Sequence, residues 1–257
     1  MSRPLWFVGA DGSVVSRALG VLRLSLLALA IGQGLVANAF ATASLLLFFI
    51  SLVVTGGSLG SDMLASAGRS PLARLVDWSR VHLWWGDERY LPDGDPDRNE
   101  TQNRAALLDH LPLDPAKIHG MAGPDRSESA EASAAAYATE LRTHGGGLFD
   151  VVLLGMGPDG HVASLFPQHP AQLVTDTIAV AVHDSPKPPP DRVSLTFECL
   201  ARSRQVWLLV AGADKAPAVC RALTPGAQRW DVPAAGVRGL DATLWLVDVE
   251  AASELPS

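Results

Sequence analysis

Phe149-Asp150-Val151-Val152-Leu153-Leu154-Gly155-Met156-Gly157-Pro158-Asp159-Gly160-His161 runs from a short apolar segment into a glycine-rich turn carrying a carboxylate and an imidazole. Val151 to Leu154 is continuously apolar, the pattern of a strand covered on both faces in a parallel sheet. Three glycines and Pro158 stop the strand and let the chain turn sharply. In open α/β sheets ligands bind just beyond the carboxyl ends of the strands, so Asp159 and His161 stand where chemistry is expected. Taken alone, the segment reads equally well as a polar turn with no chemical role.

Other segments repeat the arrangement. Leu5 to Val8 reads as a first strand, with Asp11-Gly12-Ser13 turning into a helix from about Val14. Leu45 to Val54 reads as a second strand and runs into Thr55-Gly56-Gly57-Ser58-Leu59-Gly60-Ser61. A strand, a Gly/Ser turn and a helix aim backbone N–H groups and a helix dipole at a phosphate. The turn lacks the Gly-Lys-Ser/Thr ending of a Walker loop. Trp78 to Trp85 reads as a strand followed at once by Gly86-Asp87-Glu88-Arg89, with His82 packed inside it. Asp93 to Asn99 is acidic but fails as a calcium loop, because Arg98 and Arg104 occupy the positions that need Gly and Glu. It reads instead as a solvated turn capping a helix over Glu100–His110.

Further along, Ser127 to Leu141 is an alanine-rich helix, and Ile178 to Val182 a strand. His183 to Arg192 is a stiff, proline-rich segment with two cations, Lys187 and Arg192. Its context argues for a fixed internal loop over a free polyproline ligand. Val193 to Phe197 begins a helix or a short strand, Val206 to Val210 and Thr243 to Val247 are buried strands, and Ala216 to Leu223 is a helix. Strands alternate with helices and no repeat or linker intervenes, so residues 1–257 are expected to form one doubly wound, mostly parallel α/β domain.

Composition narrows the function. A formal charge of −7 over 257 residues carries no nucleic-acid footprint. Cys199 and Cys220 show neither a disulfide framework nor metal-ligand spacing, as expected of thiols in a reducing cytoplasm. No secretory signal opens the chain. Between Arg23 and Asp62 there is no charged residue, and Leu35 to Val54 is long enough to span a bilayer. Its polar residues and the glycines before it fit a buried helix and strand better.

Three strand ends thus carry loaded loops, and a fourth segment supplies cations. A Gly/Ser loop with two or three cations suits a phosphorylated substrate, and a histidine at its mouth suits proton transfer near neutral pH. No metal-ligand set and no nucleophile elbow is present in the pattern.

The motifs Thr55-Gly56-Gly57-Ser58, Trp85-Gly86-Asp87-Glu88-Arg89, Asn99, Leu154 to Pro167 and Ser185 to Arg192 resemble those of the 6-phosphogluconolactonase family. The resemblance runs from about Leu52 to the C-terminus; residues 1–51 diverge, since the family would place a charged amphipathic helix there. It implies a glucosamine-6-phosphate deaminase-like fold and hydrolysis of a sugar-phosphate lactone in the pentose phosphate pathway. It also implies a small-molecule partner with no nucleic acid and no membrane expected, no cofactor or metal, a cytoplasmic setting, and a monomer or weak homo-oligomer. Carried over by position, His161 would be the general base, with Asp159 and Arg89 as the other catalytic residues. Asp159 would hold the imidazole or the substrate hydroxyls, and Arg89 the phosphate or the developing oxyanion. Gly56, Gly57, Ser58, Lys187 and Arg192 would hold the phosphate. Asn99 would contact substrate or cap a helix, and Asp87 and Glu88 would either join the site or fix Arg89 by ion pairing. The rivals are a sugar-phosphate isomerase or deaminase of the same fold, and a membrane-associated non-enzymatic homologue anchored through Leu24–Val54.

Overall fold

The computed structural model describes residues 5–8, 14–16, 51–71, 73 and 76–256. Its strands are β1 (Leu5–Val8), β2 (Val14–Ser16), β3 (Ser51–Val54), β4 (His82–Trp85), β5 (Asp87–Arg89), β6 (Ile118–His119), β7 (Phe149–Gly155), β8 (Ala179–Val182), β9 (Arg192–Leu195), β10 (Ser203–Val210) and β11 (Ala242–Val247). The described helices are α1 (Gly57–Arg69), α2 (Asn99–Ala106), α3 (Ala130–His144), the single turn α4 (Phe197–Leu200) and α5 (Ala216–Leu223).

The main sheet has the order β2-β1-β11-β10-β7-β3-β4-β6, and every neighbouring pair except β1–β2 is parallel. From β3 the chain moves outward through β4 to β6. It then returns to the other side of β3 as β7 and moves outward through β10 to β11. The direction of winding therefore reverses between β3 and β7, which leaves a crevice at their carboxyl ends.

The apolar strands are continuous because both faces are covered. Val152 and Leu154 of β7 pack on one side with Trp84, Val206, Leu208, Tyr137 and Leu141. Val151 and Leu153 pack on the other with Leu52, Val54, Leu83, Trp85, Met63 and Leu64. Period-two alternation sends successive residues into two separate cores, so no position in the run is left for a polar side chain.

Several expectations are adjusted. Val14 to Ser16 forms a strand antiparallel to β1 where a helix was expected, since β-branched Val14 and Val15 suit an edge pairing. The strand expected over Trp78–Trp85 begins only at His82; Trp78–Arg80 is a 3-10 turn whose indole donates to the Ala73 carbonyl at 2.9 Å. Residues 45–50 of the second expected strand, and the uncharged stretch upstream of it, lie outside the described residues. Among the described residues no helix is long and apolar enough to cross a membrane. Asp87–Arg89, read as a loop, is a strand of a second, antiparallel sheet with the order β5-β9-β8.

At the opposite end of the sheet from the crevice, His82 Nδ1 lies 3.0 Å from His119 Nε2, and His119 Nδ1 lies 2.8 Å from Glu140 Oε1. The Glu140 carboxylate fixes the proton on His119 Nδ1, so His119 Nε2 accepts from His82. Burial lowers the pKa of both rings, helped by the neighbouring His144. A histidine held below its unfolded value contributes stability that is complete above about 6.5 and is lost as pH falls below it. The urea midpoint of the protein is therefore expected to fall, relative to that of His119→Gln, between pH 7.5 and 5.5. A constant difference between the two proteins over that range would contradict this.

Candidate active site

The carboxyl ends of β3, β4 and β7 lie side by side, so the loops that follow them share one mouth. The loop after β7 carries Asp159 and His161. Its turn is closed by Gly160 N–H on the Gly157 carbonyl at 2.9 Å and by Gly157 N–H on the His161 carbonyl at 3.0 Å. This folds the imidazole back over the glycine: a Cβ at Gly157 would lie 2.1 Å from His161 Nδ1 and 2.5 Å from Asp159 Oδ1. His161 Nδ1 lies 2.6 Å from Asp159 Oδ1, and its ring leans on Phe166 at 4.6 Å between centroids. The carboxylate accepts from Nδ1–H, which leaves Nε2 as the lone-pair nitrogen. Burial by itself would raise the Asp159 carboxyl. The hydrogen bond and charge of His161, with Lys187 nearby, instead bring it down to about 2. Asp159 is thus ionised at neutral pH.

The loop after β3 turns at Thr55-Gly56-Gly57 and opens α1. Gly56 is the N-cap residue, and no side chain caps the helix nor does an acidic residue stand in its first turn. Its N-terminal N–H groups keep their positive character. Gly56 is needed for close approach, since a Cβ there would meet the Asn99 side chain at 1.8 Å. Ser58 lies in the first turn of α1.

Residues read as separate signals prove to be joined. Asp87 is buried; its Oδ2 accepts from Ser164 Oγ at 2.6 Å, and Asn99 Nδ2 lies 2.8 Å from its carbonyl and 3.3 Å from Oδ1. Glu88 points the other way along the strand. It accepts from the backbone N–H groups of Arg89 (2.8 Å), Asn99 (2.7 Å) and Glu100 (2.8 Å) and stands 3.8 Å from Arg98. Burial pushes its carboxyl up to about 7, against the pull of Arg98 and those three N–H groups. Neither carboxylate ion-pairs with Arg89, contrary to one expectation: Glu88 caps α2, and Asp87 ties α2 to the His161 loop. The acidic turn therefore does not cap this helix. Asn99 does not cap it either; the N-cap position is Arg98, with no side-chain cap bond.

The cations converge through β-sheet register. Arg89 in β5 pairs directly with Arg192 in β9. Like charges opposite one another are unfavourable unless a counter-charge joins them. Arg89 donates from Nη1 to the Asp97 carbonyl, while its Nε is buried without a partner. Arg192 is largely engaged with its own loop: Nη2 donates to the Lys187 and Pro188 carbonyls at 3.0 and 3.1 Å, and Nε to Pro189 at 3.3 Å. Burial lowers the pKa of Lys187, offset by Asp159 and reinforced by Lys215 and Arg192. The loop that holds these cations contains a cis bond between Pro188 and Pro189.

Four contributors escaped the sequence reading: Glu88 as a cap, Arg98, Asn103 and Ser164. Asn103 is four residues beyond Asn99 on the same face of α2, and its Nδ2 donates to the Thr55 carbonyl at 3.1 Å. That spacing of two asparagines was a usable signal. Arg98 is fully buried and donates to the Leu91 and Met121 carbonyls, a role its polar surroundings in the sequence concealed. Among the described residues no cluster of three or more His, Cys, Asp or Glu could hold a metal.

Residues 34–245 match the family described as glucosamine-6-phosphate isomerases/6-phosphogluconolactonase. The chain belongs to this family. It is 54% identical over 215 residues to the 6-phosphogluconolactonase of Streptomyces coelicolor, a match covering 80% of this chain and 82% of that one. Identity to the Mycobacterium tuberculosis 6-phosphogluconolactonase is 47% over 213 residues, covering 80% and 85%. The crystal structure of 6-phosphogluconolactonase from Thermotoga maritima superimposes with a TM-score of 0.73 at 27% identity, covering 83% of this chain and 93% of that one. The α/β fold is thus that of the family.

Because the imidazole rests on Gly157, Gly157→Ala is expected to displace the ring while leaving the sheet intact. Activity should drop at least as far as in His161→Ala, with near-ultraviolet circular dichroism unchanged. A Gly157→Ala protein with wild-type turnover would show that the ring does not need this seat.

Proposed function

We propose that the protein hydrolyses 6-phospho-D-glucono-1,5-lactone to 6-phosphogluconate without a metal, with residues 1–257 forming one domain around the site. The observation that carries this reading is the Asp159–His161 pair, held at 2.6 Å in the crevice beside an uncapped helix N-terminus and a set of cations. Close relatives named 6-phosphogluconolactonase support the substrate.

In this reading Asp159 holds His161 in the tautomer that bares Nε2. As water attacks the lactone carbonyl, Nε2 takes its proton, and a tetrahedral anion forms. The imidazolium then gives that proton to the ring oxygen as the carbon–oxygen bond breaks. A water is consumed, one ester bond opens and no group remains on the enzyme. A positioned base supplies about 10²–10⁴-fold, which suffices for a strained ester that already opens in water. The N-terminus of α1 at Gly56, Gly57 and Ser58, together with Lys187 and Arg192, receives the phosphate and orients the ring for attack. Asn99 places its side chain against Gly56 and so shapes that pocket. Arg89, with a buried Nε lacking a partner, stabilises an anionic oxygen of the substrate.

Lactone opening should be followed with purified protein, corrected for the spontaneous rate and coupled to oxidation of 6-phosphogluconate. His161→Ala is expected to lower kcat by about 10²–10⁴-fold. Arg89→Lys then distinguishes the two anionic oxygens: a raised KM assigns Arg89 to the phosphate, a lowered kcat to the carbonyl oxygen. A folded wild type that leaves the lactone untouched, or that releases ammonia from glucosamine 6-phosphate, would overturn the reading.

A further inference from the structure

His183, Asp191 and Glu131 form a cluster outside the groups assigned to chemistry and substrate. It stands at the base of the loop that carries Lys187 and Arg192. His183 follows β8 and Asp191 precedes β9, so they meet across the two ends of that loop. His183 Nδ1 lies 2.6 Å from Asp191 Oδ1, and its Nε2 lies 2.6 Å from Glu131 Oε1 in the first turn of α3. A neutral imidazole has one N–H and one lone pair; only the imidazolium donates from both nitrogens. Two carboxylates facing the two nitrogens therefore select the protonated ring. The third titratable group against this residue is His169, whose Nε2 lies 2.8 Å from the His183 carbonyl oxygen.

The cluster connects to the cations through short backbone links. The Asp191 carbonyl accepts from Tyr90 N–H at 3.0 Å, one residue beyond Arg89, and Asp191 directly precedes Arg192. Inside the loop, Ser185 N–H donates to the Pro190 carbonyl at 3.0 Å and Ser185 Oγ to the Lys187 carbonyl at 2.9 Å. A displacement of Asp191 would therefore pass to Arg89, Lys187 and Arg192 together.

We propose that His183, as an imidazolium, is a positioning residue that ties the Lys187–Arg192 loop to α3, so that binding of the phosphorylated substrate weakens as the ring loses its proton. The proposal rests on the reading in which this loop meets the phosphate. Hydrogen bonds to Asp191 and Glu131 raise the pKa of His183, and the pairing lowers that of Glu131 to about 2. The sign follows from the raised value: the latch is complete below about 6.5 and is lost as pH rises through the folded-state pKa. By reciprocity, a bound sugar phosphate must raise that pKa further.

Two measurements on the full chain test this. The first is a nuclear magnetic resonance titration of the His183 ring, with and without 6-phosphogluconate; the midpoint is expected to move upward with ligand. The second compares KM and kcat of the wild type and His183→Gln from pH 6 to 8, with Lys187→Ala alongside. At pH 6 the variant's KM should be raised about threefold to fivefold, the scale of exposed ion pairs, with kcat little changed. The ratio of the two KM values should shrink toward one as pH rises; the ionisation of the substrate phosphate cancels in it. A pH-independent ratio, or a midpoint that ignores the ligand, overturns the proposal while leaving the lactonase reading standing. If Lys187→Ala leaves KM unchanged, the phosphate assignment fails and the proposal fails with it. The wild-type titration decides the matter even if His183→Gln does not fold.

Discussion

The carboxylate of Asp87 is the joint on which the site depends. It is buried where the His161 loop, the start of α2 and the second sheet meet, and a buried carboxylate must be satisfied by donors from its surroundings. Ser164 of the His161 loop donates to one oxygen and Asn99 of α2 lies 3.3 Å from the other, with the charge of Arg192 in β9 acting on the carboxylate. Removing either donor leaves the buried carboxylate short of a partner, so the His161 loop and α2 are held to one geometry. Next to Ser164, Ala163 adopts a φ of 50°, a left-handed conformation uncommon for a residue with a Cβ.

The neighbouring Glu88 does a different job because a strand alternates its faces. In β5, Asp87 and Arg89 share one side while Glu88 takes the other, where it meets the first N–H groups of α2. A carboxylate at a helix N-terminus complements both the unpaired donors and the macrodipole. Three consecutive charged residues therefore serve two structures, and α2 in turn presents Asn99 and Asn103 to the ends of β5 and β3.

This explains what could and could not be read from the chain. The strands β3, β4, β7, β10 and β11 were legible because a parallel sheet covered on both faces requires unbroken apolar runs. The motif turns were legible because glycine, proline and a titratable pair are local signals. The second sheet was not: β5 is three charged residues long, and only its pairing with β9 makes it a strand. The same holds for β2, where three residues carry no periodicity and the edge of the sheet decides. Glu88, Arg98 and Ser164 act through partners between 11 and 77 residues distant. No spacing rule links such positions. The ion pairing with Arg89 that was one reading of Asp87 and Glu88 is absent because Glu88 turns to the other face of β5 and Asp87 is engaged by Ser164 and Asn99.

The proton chemistry can be narrowed by the same reasoning. Two carboxylates near the crevice have displaced acidities. Asp159 is held at about 2 by the hydrogen bond from His161, so at neutral pH it carries no proton to give and is too weak a base to take one. Glu88 is pushed up to about 7, a value suited to proton transfer, yet its two oxygens accept three backbone N–H groups and face α2. Geometry disqualifies the group whose acidity would serve, and acidity disqualifies the group whose place would serve. The imidazole of His161 remains, with one nitrogen engaged by Asp159 and the other bare. In the proposed mechanism Asp159 stays ionised and keeps its hydrogen bond to the ring while water is deprotonated. In that mechanism the pair works as a base whose product is stabilised in advance, the property that lactone opening would ask of the site.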